Sequence, residues 1–153
     1  MKKLIAILLC LVLCCGSLCA SAKQVICPTL EALFELPEDF EEDELTEEDE
    51  EDGMVVYWRG ELVDMAVYME AADGYTLENL AAEMADDGEQ TVNTTVNGKD
   101  MICIYGDDEE EKVSFIEYMT VMDDVVVSIA FWYDYQNAEA AQITADIMNS
   151  VVW

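Results

Sequence analysis

Any chemistry this chain performs has to be built almost wholly from carboxylates. Of its 153 residues, 35 are Asp or Glu, six are Lys or Arg, and none is His. The lack of histidine removes Ser-His and Cys-His nucleophilic catalysis and His-based metal sites. A glycosidase-type pair needs only one raised and one ordinary carboxyl in a cleft. The sequence offers no means of choosing such a pair among 35 candidates. It therefore points to no enzyme and calls for no cofactor.

The densest carboxylates lie between Glu38 and Asp52, broken only by Phe40, Leu45 and Thr46. Within this run Asp39, Glu41 and Asp43 alternate, and Glu47 and Asp49 follow. These are hard oxygen donors of the kind that hold Ca²⁺ in extracellular modules, with dissociation constants of ~10⁻⁴ to 10⁻³ M. The sixth position of that pattern is Glu44, where a calcium loop of the EF-hand type needs glycine for its sharp turn. The segment thus reads first as a mobile, solvated acidic loop or a weak edge segment. A weak calcium site at the five named carboxylates is the alternative.

Other candidate side chains are cysteines and aromatics. Cys10, Cys14, Cys15 and Cys19 crowd the N-terminus, leaving Cys27 and Cys103 in the rest of the chain. In an exported domain two cysteines read as one disulfide, Cys27 with Cys103. Two buried free thiols are the other reading. Trp58, Trp132, Tyr57, Tyr68, Tyr133 and Tyr135 suit either core packing or a binding surface. Tyr57 and Trp58 are adjacent in a β-prone run, so they face opposite ways and one of them is a candidate exposed aromatic.

The first 22 residues set the expected location. Lys2 and Lys3 precede an apolar run from Leu4 to Leu13, and Ala20-Ser21-Ala22 closes it. That three-part pattern is a secretory signal with cleavage after Ala22, and the apolar run is too short for a membrane span. Lipidation at one of the clustered cysteines is a minor alternative. Cleavage leaves residues 23–153 as one domain, with four basic against 35 acidic side chains, or a net −31. Such a surface repels phosphate backbones and anionic lipid, so nucleic acid is disfavoured and an electrostatic partner is cationic, a protein or another cation.

The elements that must position these residues are mostly hairpins. Phe34 and Leu36 alternate with Glu35 as in a short strand that Pro37 ends. Met54–Arg59 and Leu62–Met69 join across Gly60-Glu61. Thr76 caps a helix with Leu77, Leu80, Ala81 and Met84 on one stripe, and Gly88 stops it. Asn97-Gly98 between β-prone runs predicts a type I′ turn that sets Val92, Thr94 and Val96 opposite Cys103, Met101 and Lys99. Two further runs flank Asp123-Asp124. In the second of them Val125, Val127, Ile129, Phe131 and Tyr133 share a face, and a last helix follows Asn137. The expectation is an α+β fold, a twisted antiparallel sheet of about five to seven strands flanked by two main helices.

The stretches "LFELPEDF", "YTLENLAAEM", "VNGKDMICIY" and "ITADIMNSVVW", in that order, resemble the small secreted bacterial domains of the PsbP-like α/β/α sandwich superfamily. The resemblance covers residues 29–153. It implies a fold and, from the superfamily's usual members, a non-catalytic accessory or binding module; it brings no catalytic motif and no partner type.

Overall fold

A computed structural model of the chain describes residues 22–86 and 90–153. Apart from Ala22, the expected signal, with its four cysteines, lies outside the described residues, as does the expected helix stop at Gly88.

Alternating apolar and polar residues build most of the chain into strands, which run β1 (Ala22–Cys27), β2 (Ala32–Pro37), β3 (Glu41–Asp43), β4 (Met54–Arg59), β5 (Val63–Ala71), β6 (Gln90–Val96), β7 (Lys99–Asp108), β8 (Val113–Met122) and β9 (Val125–Asp134). Helices α1 (Glu47–Glu51), α2 (Leu77–Asp86) and α3 (Ala138–Ser150) interrupt them. β1 and β2 pair with each other, while the rest form a seven-stranded antiparallel sheet in the order β3-β4-β5-β9-β8-β7-β6. Antiparallel neighbours joined by tight turns explain this order: β4–β5, β6–β7 and β8–β9 are hairpins. The expected pairing across Asn97-Gly98 is found residue for residue. Asn97 and Gly98 take φ of 47° and 86°, and Asp123 and Asp124 take 47° and 66°, the left-handed backbone a type I′ turn demands.

One face of the large sheet carries the core. Val127, Ile129 and Phe131 of β9, Met65 and Val67 of β5 and Trp58 of β4 pack against Phe34 and Leu36 of β2 and against Ala140, Ile147 and Met148 of α3. Full burial of each such large side chain contributes about 1.5–3 kcal/mol. α3 starts where the Asn137 side chain accepts from the N–H groups of Glu139 and Ala140. A bridge between Leu33 and Val152 ties the C-terminus to β2. The opposite face is covered only in part: Leu80 of α2 lies over Ile102 and Ile104 of β7. The α+β architecture with two main helices is thus as expected, with α1 and the separate β1–β2 hairpin in addition.

Two expectations are corrected. Cys27 and Cys103 are free thiols, not a disulfide. The lead-in strand pairs with β2, so Cys27 ends β1 at 0% exposure with the N–H groups of Thr29 and Leu30 on its sulfur. Cys103 sits opposite Tyr118 of β8 and bonds to its side chain. The acidic stretch 38–52, expected to be a loop, carries structure. Phe40 is 1% exposed and anchors its start, and β3 pairs with β4 as the sheet's edge. α1 is closed by a capping box, in which Thr46 N–H donates to Asp49 Oδ2 at 2.8 Å and Asp49 N–H to Thr46 Oγ1 at 3.2 Å. Of the two original readings, the edge segment is the one that fits.

Candidate functional site

The partly covered face of the large sheet holds the candidate site, and the composition of β9 creates it. Facing away from the core, β9 presents Val126, Ser128, Ala130 and Trp132. Across this face Tyr68 of β5, Ser128 and Met119 of β8 lie in one row, and Ala66, Ala130 and Glu117 lie in the next. Ser128 and Ala130 are too short to fill the space between these neighbours. A groove of about 290 Å³ follows β9 as a result. Tyr68 and Glu70 form one wall, Glu117 and Met119 the other, with Trp132 and Val126 along the floor strand and Asp52 at the rim.

The groove is acidic and aromatic at once. Ser128 Oγ donates to a carboxylate oxygen of Glu117, which fixes that side chain at the wall. Burial raises the Tyr68 phenol above its ordinary pKa, and the charges of Glu117, Asp49 and Asp52 raise it further, so the ring keeps its proton. An aromatic face beside fixed carboxylates attracts a cation twice, through the ring quadrupole and through charge. The groove presents no thiol, and Ser128 Oγ donates to the Glu117 carboxylate.

Of the residues singled out from the sequence, Tyr68 and Trp132 line the groove, and the others fall elsewhere. Trp58 is 2% exposed and tilted against Phe34, with ring centroids 6.1 Å apart, so it is a core residue and not an exposed aromatic. Tyr57 does point to the opposite face, beside Ala66, with its hydroxyl held by Asp64 and Arg59. Burial first, then the Asp64 hydrogen bond, pushes its pKa up to about 12. Tyr133 packs against the core, and Tyr135 hydrogen-bonds to Glu109 outside the sheet.

The five carboxylates of the calcium reading are not brought together. Asp39 accepts from Glu61 N–H at 2.8 Å, and Asp43 pairs with Arg59 at 2.6 Å. Glu41 lies opposite Arg59 in the ladder, while Glu47 opens α1 and Asp49 belongs to its capping box. The Thr46 hydroxyl and N–H hold the Asp49 carboxyl below its ordinary pKa. Among the described residues no group of three or more His, Cys, Asp or Glu is placed to hold a metal ion. The signal the sequence did carry was the pair of small residues at alternate positions in "VVVSIAFW", which marks a gap between Val126 and Trp132 on one strand face.

No family model and no curated protein matches the sequence. Solved structures do match. A Bacteroides thetaiotaomicron protein aligns with a TM-score of 0.60 at 11% identity, over 85% of this chain and 47% of its own, so this chain spans about half its length. The cyanobacterial PsbP, CyanoP, of Synechocystis sp. PCC 6803 aligns with a TM-score of 0.58 at 12% identity, over 90% of this chain and 95% of its own. The Saccharomyces cerevisiae Ran-binding protein Mog1p aligns with a TM-score of 0.54 at 12% identity, over 87% and 95%. At these identities the likeness speaks for architecture alone. The seven-stranded antiparallel sheet with its flanking helices therefore gives this chain the fold shared by PsbP and Mog1p.

Proposed function

We propose that this protein is an exported, non-catalytic binding or accessory module that takes a cationic group of a protein partner in the β9 groove. The observation that carries the reading is the groove itself, where Trp132 and Tyr68 stand beside Glu117, Glu70 and Asp52 over the short side chains of Ser128 and Ala130. The net charge of −29 supports it by drawing cationic partners toward the surface. The N-terminal pattern of Lys2, Lys3, the Leu4–Leu13 run and Ala20-Ser21-Ala22 supports export. A protein partner is in keeping with Mog1p, which is named for binding Ran.

A lysine- and arginine-bearing peptide, titrated at ~0.15 M salt where distant charges are screened, tests the reading. The Trp132 indole signal should shift saturably, and Trp132→Leu should weaken binding by about fivefold, the scale of one cation–π contact. Equal affinity for the variant and the parent would reduce the binding to diffuse charge attraction and overturn the groove reading.

A further inference from the structure

The two edges of the large sheet are unlike. β3 is a three-residue edge of two glutamates and an aspartate, short and charged in the way that blunts strand pairing. β6, at the other edge, is Gln-Thr-Val-Asn-Thr-Thr-Val, seven residues without charge or proline in a chain with 35 carboxylates. The tight turn at Asn97-Gly98 makes Val96 and Lys99 a hydrogen-bonded pair, and an unshifted register carries that parity down the strand. Val96, Thr94, Val92 and Gln90 therefore spend their main-chain groups on β7. The N–H and C=O of Thr91, Asn93 and Thr95 point outward.

Above that edge runs α2. Leu77, Glu78, Ala81 and Ala82 of the helix, with Thr91 and Asn93 of the strand, line a groove of about 590 Å³. On the far face Val92 is 48% exposed. The turn end of the strand is fixed, because the Trp153 indole donates to Val96 O at 3.1 Å and the Asn97 amide to Val151 O at 2.6 Å. An edge strand fixed at its turn end, with outward main-chain groups that no other described residue takes up, a helix wall that includes Ala81 and Ala82 and an apolar side chain on the other face is the geometry that binds an extended segment by strand addition.

We infer that β6 and α2 form a docking cleft for an extended segment of another protein, added as an eighth strand antiparallel or parallel to β6. Main-chain bonds to Thr91, Asn93 and Thr95 hold the segment. Small or apolar side chains alternate between the α2 groove and Val92. Glu78 beside the groove and Asp100 opposite Thr95 favour a segment with basic ends. The charge also argues against a second copy as occupant, since two chains of −29 each would have to meet. This cleft is separate from the β9 groove and does not depend on it.

The probe is a peptide of alternating threonine and valine with a lysine at each end, acetylated and amidated, together with the same sequence N-methylated at every amide between the lysines, so that neither edge of the strand can donate. The unmethylated peptide should protect the N–H groups of Thr91, Asn93 and Thr95 from hydrogen exchange. The methylated one, with equal charge but no N–H to donate, should protect them with at least about tenfold lower apparent affinity. Asn93→Pro removes one outward donor without touching the β7 ladder, so it should also cost about tenfold in affinity at an unchanged unfolding temperature. If that variant does not fold, the methylated peptide decides alone. Equal protection of Thr91, Asn93 and Thr95 by both peptides, protection confined to residues of the β9 groove, or concentration-dependent protection of β6 without any peptide would each overturn the inference, the last in favour of self-pairing. In the Trp132→Leu variant the peptide should still protect Thr91, Asn93 and Thr95 as in the parent, whatever its lysines do at the β9 groove, which separates this result from the fate of that groove.

Discussion

A Cβ placed on Gly60 would stand 2.5 Å from Cε2 of Phe40 and 2.6 Å from the carbonyl oxygen of Val63. The β4–β5 hairpin and the acidic segment are thus packed ring against backbone at this point, with Gly60 N–H donating to Val63 O at 3.0 Å. Phe40 is the fastening between the acidic run and the core.

Phe40→Ala should therefore destabilise the fold by about 3–5 kcal/mol, the cost of deleting a buried phenylalanine. A freely mobile acidic loop would lose almost nothing. Gly60→Ala should also destabilise, and Phe40→Leu should recover part of that loss by making room. Urea unfolding of the three variants checks both statements, and additive losses for Gly60→Ala and Phe40→Leu would show that the two residues do not share the contact.

The free thiols make a second prediction. Denatured, unreduced protein should take up label at both Cys27 and Cys103, and the native protein should label slowly at each. Cys27 is fully buried, and burial raises the pKa of both thiols, leaving little thiolate to react. Removing either sulfur as Cys→Ser should leave the labelling of the other unchanged. An unlabelled pair in the denatured chain would establish the disulfide after all.

Tyrosines govern the alkaline limit. Burial, and then the neighbouring Cys103, pushes the Tyr118 phenol up to about 12, and Tyr57 reaches about 12 as well. An unfolded tyrosine ionises near ~10. Between those values the folded state holds protons that the unfolded state has released, so stability is intact below pH ~10 and falls as pH rises toward 12. Unfolding midpoints across this window should drop, and Tyr118→Phe should flatten the drop. A midpoint independent of pH up to about 12 would contradict the buried, protonated phenol.

How legible all this was depends on the range of each interaction. The β6–β7 register was legible because Asn97-Gly98 fixes two positive φ values within the hairpin itself. The core face of β9 was legible through strict alternation from Val125 to Tyr133. The β1–β2 hairpin was half seen: Phe34 and Leu36 declared β2, but in the partner strand "AKQVIC" the burial alternates while the residue types do not, with Ile26 exposed and Lys23 on the more buried side. The β9 groove was missed because it arises from what Ser128 and Ala130 leave empty between strands distant in sequence. Local patterns report filled positions better than vacant ones. The carboxylates misled for the opposite reason: their number suggested a ligand set, while Arg59, Glu61 N–H and Thr46 had already engaged Asp43, Asp39 and Asp49.

The last prediction concerns α1, whose charges act with opposite signs at its two ends. Glu47, Glu48, Asp49 and Glu50 fill its first turn, where the helix dipole favours negative charge, and no basic residue lies in its last. Asp49 adds the capping box, so Asp49→Asn should destabilise the segment. Because the Asp49 carboxyl is held below its ordinary pKa, its contribution is present above pH ~4 and is lost as pH falls through the lowered folded value. Glu51→Gln, next to the C-cap Asp52, should do the reverse and stabilise, by about 0.3–1 kcal/mol at low salt. Added monovalent salt should raise the unfolding temperature of the parent by screening the remaining like charges, and shrink the Glu51→Gln gain with it. Calcium at constant ionic strength should add nothing saturable, since Asp39, Asp43 and Asp49 already have protein partners. A saturable calcium gain that disappears in Asp49→Asn would instead mean that the capping box opens to take the ion.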